Sequence, residues 1–444
     1  MIPPTVTGLA RAMKLNRAAP RIPAAWRPYT LYAVSKIAPG LMLFAAVPIW
    51  TRTFGPEQYG LYSMCWVATL FSSAFFTGWL SQAVLRHAGD RDFDLDAIPR
   101  WVIPTCAAIS ALPVIVIVWT ESIGHKSADS VGLMLAGALF AGLNSYYAVT
   151  LTRSQRYDHV GRYAAAEMSR IGVAIGLSFA GTFILGRQGS VSIIAAYCVG
   201  TAVGIAIILQ GFREPETVIL RTPRALRTFW SFGWPMTLWL TVSSMLLYSD
   251  RLIIGILLNA EAVGRYGAIS DLIVRGVGML MFPFTMRAHP ALMRRWNSGD
   301  RPGALALARR YTKFVVIIGG VCVAFGSLVG SRILQPLLGV DIGSPLIVPA
   351  LLGGAALWQV GLMSHKPLEM RNRTKTMLLI ISTITALSVA ANVILIPRIG
   401  LVAPALVFFA GSACYVMVTS YLSTHVEVSI ADETGEPQSH SLSG

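Results

Sequence analysis

The sequence predicts an all-α polytopic membrane protein of about twelve transmembrane helices, in two pseudo-two-fold-related six-helix lobes around a central cavity. Three observations predict it. Hydrophobic residues make up 54% of the 444 positions and charged ones 13%, with 40 Gly and 24 Pro, a balance foreign to soluble helical proteins. Twelve apolar stretches approach the ~20 residues that cross a hydrocarbon layer of roughly 30 Å. Of the 36 Lys and Arg, 32 lie in the segments outside these stretches, and they alternate from crowded to nearly empty segments. One set of segments holds 26 of them, and the other set holds one each: Arg52, Lys126, Arg187, Arg265, Arg332 and Arg398. Over short loops this bias predicts an even number of spans with both termini cytoplasmic.

The spans run at about 31–50, 61–85, 101–119, 131–151, 163–186, 189–209, 229–258, 265–286, 313–331, 346–365, 376–396 and 400–422. They divide the chain into a basic cytoplasmic N-terminal arm (1–30), an N-terminal lobe (31–209), a cytoplasmic linker (210–228) and a C-terminal lobe (229–422). The arm carries Arg11, Lys14, Arg17, Arg21 and Arg27 with no acid, which suits a lipid-facing anchor. The tail (423–444) has four acids, many Ser and no Lys or Arg, and is expected to be a disordered cytoplasmic tail. The net charge of +15 is explained by arginines facing an anionic inner leaflet, so nucleic acid is not an expected partner. The five cysteines, Cys65, Cys106, Cys198, Cys322 and Cys414, fall one per apolar segment with no CxxC pair. They read as small hydrophobes rather than a disulfide framework.

An internal repeat supports the two lobes. Glu57-Gln58-Tyr59-Gly60-Leu61-Tyr62 follows span 1, and Glu261-Ala262-Val263-Gly264-Arg265-Tyr266 follows span 7. Both read E-x-x-G-x-Y at an offset of 204 residues. A second echo, Leu177-Ser178-Phe179-Ala180 against Leu387-Ser388-Val389-Ala390, joins spans 5 and 11. Equivalent sequence six spans apart places both halves in the membrane in the same sense, the plan of alternating-access transporters. Span 1 contains Pro39 and Pro48, and span 7 contains Trp234-Pro235. Proline removes a backbone bond that lipid cannot replace, so a broken first helix is expected in each half.

Charges inside the spans are the candidate site. A mid-bilayer charge costs at least about 2.5–3.5 kcal/mol, so each should face protein or water. The cations are Lys36, Arg170, Arg251 and Arg275, and the acids are Glu167, Asp250 and Asp271. Glu167 and Arg170 share a helix face at i, i+3, as do Asp271 and Arg275 at i, i+4. Either pair reads equally as an internal salt bridge or as part of a cavity. Arg275 lies deepest and is the leading candidate for a cavity cation. Lys36, near its span end, can snorkel. Arg86 closes span 2 one turn after Gln82, as an interfacial anchor or a cation at the cavity mouth. Arg52, at the opposite end of span 1, completes the candidate substrate contacts, and Asp250, Asp271 and Glu167 are the candidate ion-coupling acids.

Other chemistry finds little footing. The loop Asp90-Arg91-Asp92-Phe93-Asp94-Leu95-Asp96 resembles half a calcium loop, but its sixth position is Leu95 rather than Gly and its twelfth is Trp101 rather than Glu. It reads as a solvated acidic loop. The seven histidines show no HxxxH or HExxH spacing, and no Walker A or G-x-S-x-G sequence occurs. No cofactor, metal site or enzyme activity is expected.

Arg52-Thr53-Phe54-Gly55-Pro56-Glu57-Gln58-Tyr59-Gly60-Leu61-Tyr62-Ser63 resembles the signature after the first helix of the polysaccharide (O-antigen type) flippases, members of the multidrug/oligosaccharidyl-lipid/polysaccharide exporter superfamily. Ser249-Asp250-Arg251-Leu252-Ile253-Ile254-Gly255, followed by Glu261-Ala262-Val263-Gly264-Arg265-Tyr266, is similar to that family's SDR-x-IIG…EAVG-x-Y pattern. The run from Asn392 through Ile396-Pro397 and Gly400 to Ala403 resembles its junction between the last two helices. Pro404 and Phe409 depart from a twelfth helix that is often rich in small residues, which puts close packing there in question. The resemblance implies two six-helix lobes, a cationic central cavity and export of an isoprenoid-pyrophosphate-linked oligosaccharide across a bacterial inner membrane. The implied partners are that lipid-linked oligosaccharide, membrane lipids, a coupling H⁺ or Na⁺, and polysaccharide polymerase or assembly proteins. The alternatives are an ion-coupled multidrug exporter of the same superfamily, which predicts a cavity dominated by acids and aromatics, and a membrane-embedded polysaccharide ligase or polymerase, which predicts a long outer loop. A passive scramblase is a third.

Overall fold

The computed structural model describes residues 27–86, 99, 101–121, 128–156, 159–185, 189–210, 223–371 and 373–434. The basic arm as far as residue 26, the acidic loop 90–96 and the side chains of Lys36 and Arg86 lie outside the described residues. Thirteen helices hold nearly all of the described chain: α1 (Arg27–Arg86), α2 (Val102–Ile109), α3 (Ala111–Glu121), α4 (Ala128–Arg156), α5 (Val160–Leu185), α6 (Ser190–Leu209), α7 (Pro223–Leu257), α8 (Ala260–Asn297), α9 (Arg301–Leu338), α10 (Ile347–Ser364), α11 (Lys366–Met370), α12 (Thr374–Ile399) and α13 (Val402–Thr434).

Ten helical segments among the described residues are long and apolar enough to cross a membrane. One of them, Ile37–Leu85, has 49 residues. At 1.5 Å per residue that is more than two bilayer cores, so it holds two spans. The fold back falls at Gly55, whose φ of 82° and ψ of 164° suit a residue with no Cβ. Trp50 and Tyr62, twelve residues apart, come within 5.3 Å ring to ring across this bend. A straight helix would hold them about 18 Å apart. α5, with 26 residues, also has the length to cross a hydrocarbon core.

Helices α1–α6 pack among themselves, as do α7–α13, and α1 supplies the main contact between the two groups by lying along α7 and α8. This is the two-lobe arrangement expected from the repeat. The prolines act otherwise than expected. α7 continues through Pro235, and α1 continues through Pro39 and Pro48. Neighbouring helices compensate a missing backbone bond in a bundle, so the first helix of each half is not broken. The interruption lies in span 3, between α2 and α3 at the buried Ser110. The Ser110 hydroxyl donates to the Ala107 carbonyl at 2.6 Å, a back-bonding geometry that bends helices.

The close packing questioned at Pro404 and Phe409 is present, with the small residues on the facing helix. A Cβ on Gly353 would lie 2.7 Å from the Phe409 ring, one on Gly354 2.6 Å from Phe408, and one on Gly361 2.7 Å from Tyr415. Rings of α13 thus fill notches in α10. α13 also runs to Thr434, beyond residue 423 where disorder was expected; 435–444 lie outside the described residues.

Candidate functional site

The site grows out of the repeat. Asn259 caps α8 by accepting the Ala262 N–H at 2.8 Å, with Glu261 in the first turn. That start is matched by Pro56 and Glu57 after the bend in α1. The two copies meet backbone to backbone. A Cβ on Gly60 would lie 1.8 Å from the Ala260 carbonyl oxygen, and a Cβ on Gly264 would lie 1.6 Å from that of Pro56. Pro56 and Ala260 are themselves equivalent under the 204-residue offset, so the contact is reciprocal, as a two-fold axis requires. Toward the other end of the seam, a Cβ on Gly233 of α7 would lie 2.0 Å from the Trp79 carbonyl oxygen of α1. The halves are closed against each other at both places.

Between these contacts lies a buried charged network. Arg251 of α7 donates to Asp271 of α8 twice, Nη2 to Oδ1 at 2.9 Å and Nη1 to Oδ2 at 3.3 Å. Arg275, one turn along α8, donates from Nε to the same Oδ1 at 3.2 Å. From the first half, the Tyr59 hydroxyl donates to Asp271 Oδ2 at 2.6 Å, and Ser63 Oγ accepts from Arg251 Nη1 at 2.9 Å. Arg251 lies over the Tyr248 ring at 5.1 Å and Arg275 over Trp66 at 5.3 Å, cation–π contacts that help hold charge away from water. Side-chain exposure is 1% at Arg251 and 2% at Asp271. Even so, the Nε–H of Arg251 has no acceptor. Asp250 accepts the backbone N–H of Arg251 at 2.8 Å.

Among the described residues the seam holds two arginines, Arg251 and Arg275, and two acids, Asp250 and Asp271, with both guanidinium groups engaged. Its polarity is one-sided. Under the offset of 204, Val47, Val67 and Phe71 stand where the second half has Arg251, Asp271 and Arg275.

Glu167 and Arg170 form a separate centre inside the first half. Arg170 Nε is 3.7 Å from Glu167 Oε1, and Nη1 donates to Asn144 Oδ1 at 3.3 Å. The Tyr147 hydroxyl donates to Glu167 at 2.6 Å. Asn144 passes the chain on to Ser73 at 3.0 Å, Ser73 meets Ser145 at 2.8 Å, and Ser145 donates to Ser110 at 2.7 Å. Arg52 belongs to neither centre. It reaches across to the Pro336 carbonyl while Thr51 donates to the Leu338 carbonyl at 3.1 Å, so these residues hold the carbonyl end of α9 just before its left-handed cap at Gly339.

Of the residues predicted from sequence, Arg251, Arg275, Asp271 and Asp250 therefore come together, Arg170 and Glu167 pair elsewhere, and Arg52 has a structural partner. Tyr59, Ser63, Trp66 and Tyr248 were missed. Tyr59 sits inside the repeated motif, one residue before Gly60, which is the signal that could have found it. Among the described residues no group of three or more His, Cys, Asp or Glu could hold a metal ion.

Residues 25–296 match the sequence profile of a family described as polysaccharide biosynthesis protein. No curated protein matches the chain. Among solved structures it is similar to a multidrug resistance MATE family transporter of the MOP superfamily in an inward-facing conformation, at 16% identity over 90% of this chain and 99% of that one, with a TM-score of 0.67. It is similar to the lipid II flippase MurJ in an inward closed conformation, at 12% identity over 89% and 87%, with a TM-score of 0.66. It is also similar to a MOP superfamily transporter from Pyrococcus furiosus described as having a binding pocket of reverse polarity, at 16% identity over 89% and 96%, with a TM-score of 0.56. At these identities the likeness establishes the fold.

Proposed function

The chain belongs to the polysaccharide biosynthesis protein family, and from that premise we propose that it is a flippase for an isoprenoid-pyrophosphate-linked oligosaccharide. It moves the glycan from the cytoplasmic to the outer leaflet of a bacterial inner membrane, with both termini cytoplasmic as the 26-to-6 distribution of basic residues indicates. The fold is that of a multi-pass membrane transporter, shared by MATE drug exporters and a lipid flippase alike, so it does not choose the cargo. The Arg251–Asp271–Arg275 cluster carries the choice.

A sugar head cannot cross hydrocarbon unaided, since each unpaired polar group costs roughly 2–7 kcal/mol. Parting the two lobes gives that head a wet path while the isoprenoid tail stays in lipid. The same movement pulls Tyr59 and Ser63 of the first half away from Asp271 and Arg251 of the second. Two arginines then share one carboxylate, and the Nε–H of Arg251 is already unmet. Pyrophosphate, with many acceptor oxygens, matches the planar forks of these arginines. Outward movement of the anion gains about 2.3 kcal/mol per charge per 100 mV of inside-negative potential. Resetting the empty carrier uses H⁺ or Na⁺ bound at Asp250 or Asp271.

The test is the leaflet distribution of lipid-linked oligosaccharide in cells. Removing the protein should leave it facing the cytoplasm, and Arg251→Lys or Arg275→Ala should reproduce that block with the protein still in the membrane. Normal surface glycan in both variants would overturn the cargo assignment. Efflux of organic cations with no change in glycan would establish the multidrug alternative.

A further inference from the structure

A cavity of about 270 Å³ lies inside the second half and shares no residue with the charged seam. Met236, Trp239, Phe282, Met363 and Met377 form its apolar wall, and His365, Lys366 and Glu369 its polar end. Three methionines make a wall that adapts to a flexible chain. The polar end sits where the span Ile347–Met370 finishes, at the depth where a membrane changes from hydrocarbon to headgroups.

The polar end has donors to spare. Lys366 pairs with Glu369 and lies 3.1 Å from His289 Nδ1, which engages two of its three N–H groups. His365 is held through Nδ1 by the Tyr415 hydroxyl at 2.9 Å, leaving Nε2 3.8 Å from Glu369. Trp239 is nine-tenths buried against the cavity, and its indole N–H faces the Tyr415 hydroxyl without meeting it in good hydrogen-bond geometry. A buried donor so poorly matched leaves room for a better acceptor. A ligand with an apolar chain and an acceptor-rich anionic head would satisfy both ends.

We propose that this cavity binds a lipid phosphate, with its chain among the methionines and rings and its phosphate oxygens on Lys366 and the Trp239 N–H. Two sources share that chemistry, an isoprenoid phosphate carrier and a bilayer phospholipid. The site does not rest on the flippase reading, and its test reads binding rather than transport.

The test uses the full chain in phosphatidylcholine nanodiscs, titrated with farnesyl phosphate, farnesol, dioleoyl phosphatidic acid and inorganic phosphate, with bound ligand counted by native mass spectrometry. Farnesyl phosphate should bind saturably and about tenfold more tightly than farnesol, and Lys366→Gln should remove that difference. Met363→Trp, which fills the cavity, should abolish binding. Equal binding of phosphatidic acid supports the site with bilayer lipid as its occupant, and a preference for farnesyl phosphate supports it with the carrier. Farnesol binding as tightly as farnesyl phosphate, saturable binding of inorganic phosphate alone, or affinity unchanged in both variants would overturn the proposal. Lys366→Gln, at the edge of the cavity, keeps the test decisive if Met363→Trp does not fold.

Discussion

Gly60 and Gly264 occupy the same position in two copies of one motif, and each presses on the backbone of the other copy. A single methyl on either would sit within 1.8 Å of a carbonyl oxygen, where no flexible side chain can move aside. Closure at this end of the seam therefore requires both glycines. Gly60→Ala or Gly264→Ala should hold the halves apart there. Spin labels at positions 57 and 261 should report a longer distance than in the otherwise unaltered protein, and flipping should slow. An unchanged distance would mean that the closure has some other origin.

The seam ion pair allows stability and transport to be separated. Asp271→Leu strands Arg251 and Arg275 together and should cost about 3–5 kcal/mol, whereas Arg251→Met with Asp271→Leu leaves only the part-exposed Arg275 unpaired and should cost less. Thermal unfolding in detergent checks the order of these variants. Glycan transport should be lost in both. A double variant that recovered transport along with stability would reduce the cluster to a fastener.

The acids carry a separate expectation. Neutralising Asp250 and Asp271 together, as Asn, should remove the dependence of transport on an ion gradient. Vesicles with imposed H⁺ or Na⁺ gradients provide the measurement. Transport that still followed the gradient would exclude both residues as the coupling site.

The notches in α10 have a volume requirement. Gly353→Leu would drive a side chain into the Phe409 ring and should destabilise by about 1–3 kcal/mol. Gly320, which has open space around it, should accept the same change with little loss. Melting temperatures of the two variants should differ accordingly.

Much of the architecture was legible in the sequence because two strong signals act over long stretches. Hydrocarbon thickness sets the span length, and the membrane surface sorts basic residues. The pairs Glu167–Arg170 and Asp271–Arg275 were legible for a local reason, since helical spacing alone brings them together. The Arg251–Asp271 bond was not, because its partners sit on two helices twenty residues apart and only packing joins them. Tyr59 and Ser63 were hidden as ordinary hydroxyl residues in an apolar span. The prolines misled because a bundle repairs what a single helix in lipid could not. Phe409 raised a question about close packing at the last helix that the glycines of α10 answer, since close approach needs a notch on only one of two surfaces.

The grip of Thr51 and Arg52 on the last turn of α9 has a mechanical consequence. α9 packs against α8 and α10 of its own lobe, yet its far tip is fastened to the opposite one. When the lobes swing, this 38-residue rod must either let go of the two carbonyls or be dragged by them. It behaves as a tether strung between the moving bodies, and its reach limits how widely that mouth of the transporter can gape.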